Sequence, residues 1–187
     1  MATISSGVNL SSTFYLRNYY KNDPSACKKS SRKDFSNSKL SNEDSRALHH
    51  AIKALGKFEY TEDEVETKLL GSIQALANTY NNALESSGTK DNASMKRYAS
   101  QLKKLSSKYS EELDDIGITI NKDGSLKVNE TLLKKADPSS IKKVFGKDSS
   151  YAKQLQSISK RKTNTSTEAI YAEMTGSGQN VNLSLYT

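Results

Sequence analysis

The chain has 187 residues, of which 34% are hydrophobic and 26% are charged, and its mean hydropathy is −0.73. No apolar run approaches the roughly 20 residues that a membrane helix needs. The first residues show neither the basic nor the apolar region of a secretory signal. A single cysteine, Cys27, cannot form an internal disulfide, and with two histidines it cannot build a structural zinc site. The sequence therefore predicts none of three classes of protein: a membrane protein, a disulfide scaffold or a zinc finger.

The charge balance is basic, with 28 Lys and Arg against 21 Asp and Glu, and the excess lies towards both ends. Clustered basic residues can bind nucleic acid by releasing the counterions of phosphates. The clusters at 28–33 and 160–162, however, lie among Ser, Thr and Asn without interleaved aromatic residues. This pattern favours solvated basic segments. A nucleic-acid-binding module is therefore kept only as the weakest of the alternatives.

Residues 1–40 are rich in Ser, Asn and Lys and show no sustained helical or strand period. We predict a mobile basic N-terminal segment, in which the aromatic residues at 14–20 can form a short docked helix. The first regular helix is predicted to begin at Ser41, where the sequence resembles a capping box ending in Asp44. It is expected to end at Gly56 in the left-handed conformation.

Two long helices are predicted between residues 61 and 116. Thr61 and Glu64 form a capping box, and apolar residues then recur at heptad spacing. Gly88 is expected to end the first helix, after which a short polar turn leads into the second. The pair predicts a mainly α fold, an elongated antiparallel helical hairpin or bundle of coiled-coil type. The seam is expected to pack within the hairpin first and to offer any surplus to a partner: Leu69, Ile73, Leu76, Tyr80, Leu102, Leu105 and Tyr109.

After Gly117 the period changes to two, with alternating residues at 118–120 and 126–128 around Gly124. This predicts a small β-hairpin at 118–128, whose apolar face must lie on the helices because two strands alone are marginally stable. Asn129 is expected to cap a short helix. Asp137-Pro138 is expected to open another that stops at Gly146.

The last predicted helix runs from Ser149 through Ile158, because the apolar pattern thins beyond residue 163. The predicted organisation is a basic segment at 1–40, a helical rod at 41–162 and a weakly ordered segment at 163–187.

Residues that suggest chemistry have simpler interpretations. His49 and His50 adjoin on one helix, so their side chains point about 100° apart and cannot share a metal ion without a third element. The turn at 119–130 has the spacing of a calcium loop, but Thr119 stands where the first carboxylate is required. Lys28 is expected to lower the pKa of the Cys27 thiol, yet no general base is placed beside it. We predict no enzymatic activity, no cofactor and no metal.

The second half of the chain carries several motifs in one fixed order. The motifs are Tyr80-Asn81 in the first long helix, Leu113-x-x-Ile116-Gly117-Ile118, Asp123-Gly124-x-Leu126-x-Val128-Asn129 and Ala136-Asp137-Pro138-x-x-Ile141-x-x-Val144-Phe145-Gly146. This order resembles the C-terminal helical region of the flagellar hook-associated protein 2 family, which forms the cap at the tip of the bacterial flagellar filament. The resemblance covers roughly residues 61–160.

The resemblance implies a structural protein similar to the rod part of the filament cap. It implies self-association, contact with flagellin, binding of an export chaperone and export to the extracellular flagellum without a cleaved signal. The main alternative is a cytoplasmic regulatory or adaptor protein that keeps the cap-like helical rod. Neither interpretation implies contact with a membrane.

Overall fold

The computed structural model describes residues 11–87 and 93–175. Most of these residues are helical, and two short strands form one antiparallel pair. The prediction of a mainly α fold with one small β-hairpin is confirmed. The elements are α1 (Ser12–Tyr19), α2 (Asn37–Leu55), α3 (Glu62–Glu64), α4 (Leu70–Ser87), α5 (Ala93–Lys108), α6 (Ser110–Asp115), β1 (Ile118–Ile120), β2 (Leu126–Val128), α7 (Glu130–Lys135), α8 (Pro138–Phe145) and α9 (Ser150–Thr175).

Three helix starts follow from capping residues, as predicted. The Thr61 side chain accepts a hydrogen bond from the Glu64 amide at 3.3 Å, and the Glu64 carboxylate accepts one from the Tyr60 amide at 2.8 Å. Asn129 caps α7, and Asp137 caps α8 with Pro138 in its first turn. These side chains satisfy amide groups that the first helical turn leaves without a backbone partner.

The predicted boundaries of α2 are wrong at its start and in the conformation of its end. The helix begins four residues before Ser41, because Ser36 caps it by accepting from the Lys39 amide at 3.3 Å. Ser41 is instead fully buried inside the helix. Gly56 ends α2 with an ordinary φ of −62° and not in the left-handed conformation.

The long helices form a bundle in which α2 packs against both α4 and α9, and α5 packs against α4 and α9. A π-helical turn at Val65–Leu69 joins α3 to α4, and it leaves the neighbouring side chains Leu69 and Leu70 both buried. The predicted pair of helices is therefore present, but α2 and α9 share its core. The largest fully buried hydrophobic side chains are Tyr20, Tyr80, Tyr151, Phe145, Leu48, Leu55, Leu69, Ile73, Leu76, Leu102 and Leu113.

The second long helix is not continuous, contrary to the prediction. It breaks at Tyr109, whose φ of −111° and ψ of 27° are not helical, and restarts as α6. The Tyr109 ring packs edge-on against Tyr151 with 5.4 Å between ring centroids. α6 then buries Leu113 completely. The apolar seam thus stays buried on both sides of the break, at Leu105 and at Leu113.

The β-hairpin pairs Ile118 with Val128 and Ile120 with Leu126, within the predicted range 118–128. Asn81 on α4 fixes this hairpin to the bundle, because its side chain donates to the Leu126 carbonyl at 2.9 Å and accepts from the Leu126 amide at 2.8 Å. The amide side chain therefore satisfies both backbone groups of Leu126 that face away from β1.

The ends of the described chain carry more helix than the sequence predicts. Residues 11–36 contain α1 and two 3₁₀ turns, Pro24–Cys27 and Arg32–Asp34. At the other end α9 continues past the predicted rod boundary at residue 162 to Thr175. Residues 1–10 and 176–187 of the two predicted terminal segments, and the predicted helix stop at Gly88, lie outside the described residues.

Candidate interaction surface

Six of the seven seam residues predicted from the sequence lie inside the bundle. They are almost completely buried, the most exposed being Leu105 with 6% of its surface accessible, whereas Tyr109 is only partly buried. The six buried side chains are occupied in holding the helices together. A surface for a partner therefore has to be sought outside these six residues. The buried six are Leu69, Ile73, Leu76, Tyr80, Leu102 and Leu105.

A buried serine links three helices across this seam. Ser106 on α5 donates to the Tyr80 hydroxyl at 3.0 Å and lies 3.1 Å from the hydroxyl of Tyr151 on α9. Burial raises the pKa of Tyr80 to about 12, although the hydrogen bond from Ser106 opposes the shift. Nothing in the sequence marks Ser106 as buried, because an isolated serine on a polar helix is expected at the surface.

A buried ion pair fastens the segment before α2 to the bundle. The Arg32 guanidinium donates to both carboxylate oxygens of Asp44, at 2.8 and 3.0 Å, and Asp44 is fully buried. The Tyr20 hydroxyl donates to Asp44 at 2.6 Å and accepts from the Asn82 side chain at 2.9 Å. Every partner of Asp44 is thus a charged or polar group, as a buried carboxylate requires.

A second buried cation joins α9 to α4. Lys162 has 1% of its surface exposed, and its ammonium donates to the Ala83 carbonyl at 2.7 Å. Burial lowers the pKa of Lys162 to about 7; the Asp44 carboxylate opposes this shift and the Arg32 guanidinium adds to it. From the sequence Lys162 appears as part of a solvated basic cluster, which the structure contradicts at this one position.

The residues considered for chemistry are distributed over separate places. His50 contacts the Tyr19 carbonyl through Nδ1 at 2.9 Å, and burial lowers the pKa of both His49 and His50. Burial raises the pKa of Cys27 and outweighs the lowering by Arg17 and Lys28, so the expectation of a lowered thiol pKa is wrong. In the part of the chain that the structure describes, no group of three or more His, Cys, Asp and Glu side chains is placed to hold a metal ion.

The most exposed apolar side chains of the described chain include two at the end of α9. Tyr171 is 59% exposed and Met174 is 78% exposed. Further towards the centre of the helix, the Asn42 side chain on α2 donates to the Thr163 carbonyl at 3.1 Å and to the Thr167 hydroxyl at 2.8 Å. Positions four and seven residues after Thr167 lie on the same side of a helix. The face that α9 presents to α2 therefore continues into Tyr171 and Met174.

None of the helices within residues 11–87 and 93–175 is both long and apolar enough to cross a membrane. Comparison with protein-family models, with curated proteins and with solved structures gives no match to this chain.

Proposed function

We propose that the protein is a non-enzymatic structural protein that assembles with other proteins through helix–helix contacts. The observation that carries the proposal is the end of α9, where the side of the helix that packs on α2 continues as an exposed apolar surface. We name this surface, formed by Tyr171 and Met174, the α9 end.

The register between α2 and α9 explains why this surface has no cover from α2. The Ser166 hydroxyl lies 3.4 Å from the Ser41 hydroxyl, and Gly56 lies beside Lys147. The two helices therefore run antiparallel, with α2 beginning opposite the last turns of α9. An apolar stripe that extends beyond the end of the helix it packs on is a typical contact site for another helix.

The kinship proposed with the flagellar filament cap rests on the motif order noted in the sequence. The local structures agree with that order, since α6 ends at the hairpin, Asn129 caps α7 and Asp137 caps α8. Asn81, which belongs to the first of these motifs, holds the hairpin. We therefore extend the proposal to a rod-like part of a bacterial flagellar cap, with a second copy, flagellin and an export chaperone as the partners.

Self-association tests the assembly role directly. We expect Tyr171→Asp with Met174→Asp to weaken self-association at least about tenfold, because interface energy concentrates in buried aromatic and apolar anchors. Light scattering after gel filtration, over a concentration series, measures it. Ser157→Asp with Asn164→Asp adds the same charge at exposed positions on α9 and should leave association unchanged. A wild-type chain that stays monomeric throughout would reject self-association through the α9 end.

The location of the protein, outside or inside the cell, distinguishes a cap component from an adaptor. A cap-like protein should be recovered from the flagellar and culture-medium fractions of cells with an intact flagellar export system. Retention inside such cells would reject the cap role and favour the cytoplasmic regulatory or adaptor protein.

A further inference from the structure

Three shallow grooves adjoin at the end of the bundle where α2 stops. The central groove, of about 300 Å³, lies between the end of α2 and the start of α9, with Gly56 and Gly146 on its surface. It shares Lys57 and Lys147 with a wide groove of about 850 Å³. It shares Lys53 and Lys57 with a third groove of about 430 Å³ beside the two histidines. The three grooves therefore form one continuous surface.

Lysines surround this surface. The central groove is lined by Lys53, Lys57, Lys147 and Lys153 and by no acidic residue, although the Lys153 ammonium pairs at 3.3 Å with Asp148, which lines the wide groove. The third groove adds Lys21, and it too has no acidic residue in its lining. The wide groove adds two more lysines, Lys142 and Lys143. All seven side chains are exposed, and we name the surface the lysine face. It comes from four separate parts of the chain, so its charge is a product of folding.

The floor of the lysine face is apolar. Ile52 and Phe145 line the central groove, and both belong to the hydrophobic core. Phe58, Tyr109 and Val144 line the wide groove, where the two aromatic rings are partly exposed. A ligand that fits must therefore carry negative charge for the lysines and apolar groups for the floor.

We propose that the lysine face binds an acidic polypeptide segment that carries apolar side chains between its carboxylates. Charge complementarity brings the segment to the surface, and burial of its apolar side chains against the aromatic floor holds it there. This surface is separate from the α9 end, so the proposal stands or falls independently of self-association.

Two other polyanions fit the lysine face less well. Three carboxylates, Glu59, Glu112 and Asp148, line the wide groove and repel any anion there. A polypeptide can place its apolar side chains beside them, whereas a nucleic acid carries a phosphate at every nucleotide. The cations are all lysines, without the arginines whose paired donors match phosphate. An anionic membrane would be met by exposed apolar anchors, but the large exposed hydrophobic side chains of the described chain lie outside these grooves.

Fluorescence anisotropy at low salt with a labelled peptide of repeated Glu-Glu-Leu triplets tests the proposal. We expect saturable binding by the wild type. The affinity should fall at least about tenfold in Lys53→Glu/Lys57→Glu, because two lysines that attract the peptide carboxylates are replaced by glutamates that repel them. Lys143→Glu/Lys147→Glu, on the other wall, should lose a similar factor. The matched control Lys28→Glu/Lys29→Glu changes the net charge equally at exposed positions outside the grooves and should bind within about twofold of the wild type.

The probes separate the rival occupants. Repeated Glu-Glu-Ser triplets should bind at least about tenfold more weakly than the leucine peptide, because they offer nothing to the apolar floor. Equal binding of the two peptides, equal losses in the control and groove variants, or no binding of the leucine peptide would each overturn the proposal. So would tighter binding of duplex DNA of the same net charge, or of phosphatidylserine vesicles, that is lost in Lys53→Glu/Lys57→Glu. Tyr171→Asp/Met174→Asp should bind the leucine peptide normally.

Discussion

Replacing Lys162 by methionine is expected to stabilise the protein at neutral and acidic pH. The side chain is buried, and its ammonium has the Ala83 carbonyl as a hydrogen-bond partner at 2.7 Å. That carbonyl also accepts from the Ser87 hydroxyl, so it keeps a partner when the lysine is removed. Methionine has a similar length and no charge, which makes it a close apolar substitute.

The magnitude follows from the lowered pKa. Burial takes the pKa of Lys162 from 10.5 to about 7, and each pKa unit corresponds to about 1.4 kcal/mol. The unfolded chain therefore binds the proton more tightly than the folded chain. Stability falls as the pH drops from about 10.5 to about 7, by roughly 5 kcal/mol in total, and this group causes no further loss below that range. After the lost hydrogen bond is subtracted, we expect a gain of about 1–4 kcal/mol at pH 6.

Urea unfolding across the range from pH 6 to pH 10 provides the measurement. The difference between the wild type and Lys162→Met should shrink as the pH rises, because the wild-type lysine becomes neutral in the folded state. Lys160→Met, an exposed neighbour on α9, is the control and should change stability little at any pH. Destabilisation by Lys162→Met at every pH would refute the reasoning, since it would mean that the buried charge is a net stabiliser.

Other positions yield shorter predictions. Gly117→Ala should lower stability by about 1–3 kcal/mol, because φ is +80° there and a Cβ would lie 2.6 Å from the Cβ of Leu132. Gly56→Ala, with an ordinary φ and 3.6 Å of space, should be neutral or slightly stabilising; equal melting temperatures of the two variants would contradict this. Asn81→Ala should cost about 2–3 kcal/mol and speed hydrogen exchange of the Leu126 amide. Tyr80→Asp should cost about 3–5 kcal/mol by burying an unpaired charge, and an unchanged thermal midpoint would mean that Tyr80 is not in the core.

Caps and turns were predictable because their interactions are local. Thr61, Asn129 and Asp137 each bind an amide within three residues of themselves. The prediction of where α2 starts was wrong for a related reason. Ser36 and Ser41 are both possible N-caps for the helix that follows, and only the burial of the first turns determines that Ser36 is the cap. The helix break at Tyr109 could not be predicted from the sequence either, because the heptad spacing continues through it and no glycine or proline marks it.

The seam was predictable as a set of buried residues but not as a set of contacts. Periodicity identifies the face of a helix that avoids water, and six of the seven seam residues are buried. It does not say which helix covers it. The pairing of α2 with both α4 and α9, and with it the exposed α9 end, depends on the relative lengths and register of helices far apart in the chain.

The amino-acid sequence alone determined the mainly helical class, the hairpin at 118–128 and the caps, because short-range hydrogen bonds and side-chain periods specify them. The tertiary structure alone decided where the charges lie. Lys162 enters the core opposite Ala83, and Arg32 reaches Asp44, whereas the lysines around Gly56 remain exposed. A lysine looks the same in every basic cluster of the sequence, and only the neighbours supplied by folding determine whether it is buried or solvated.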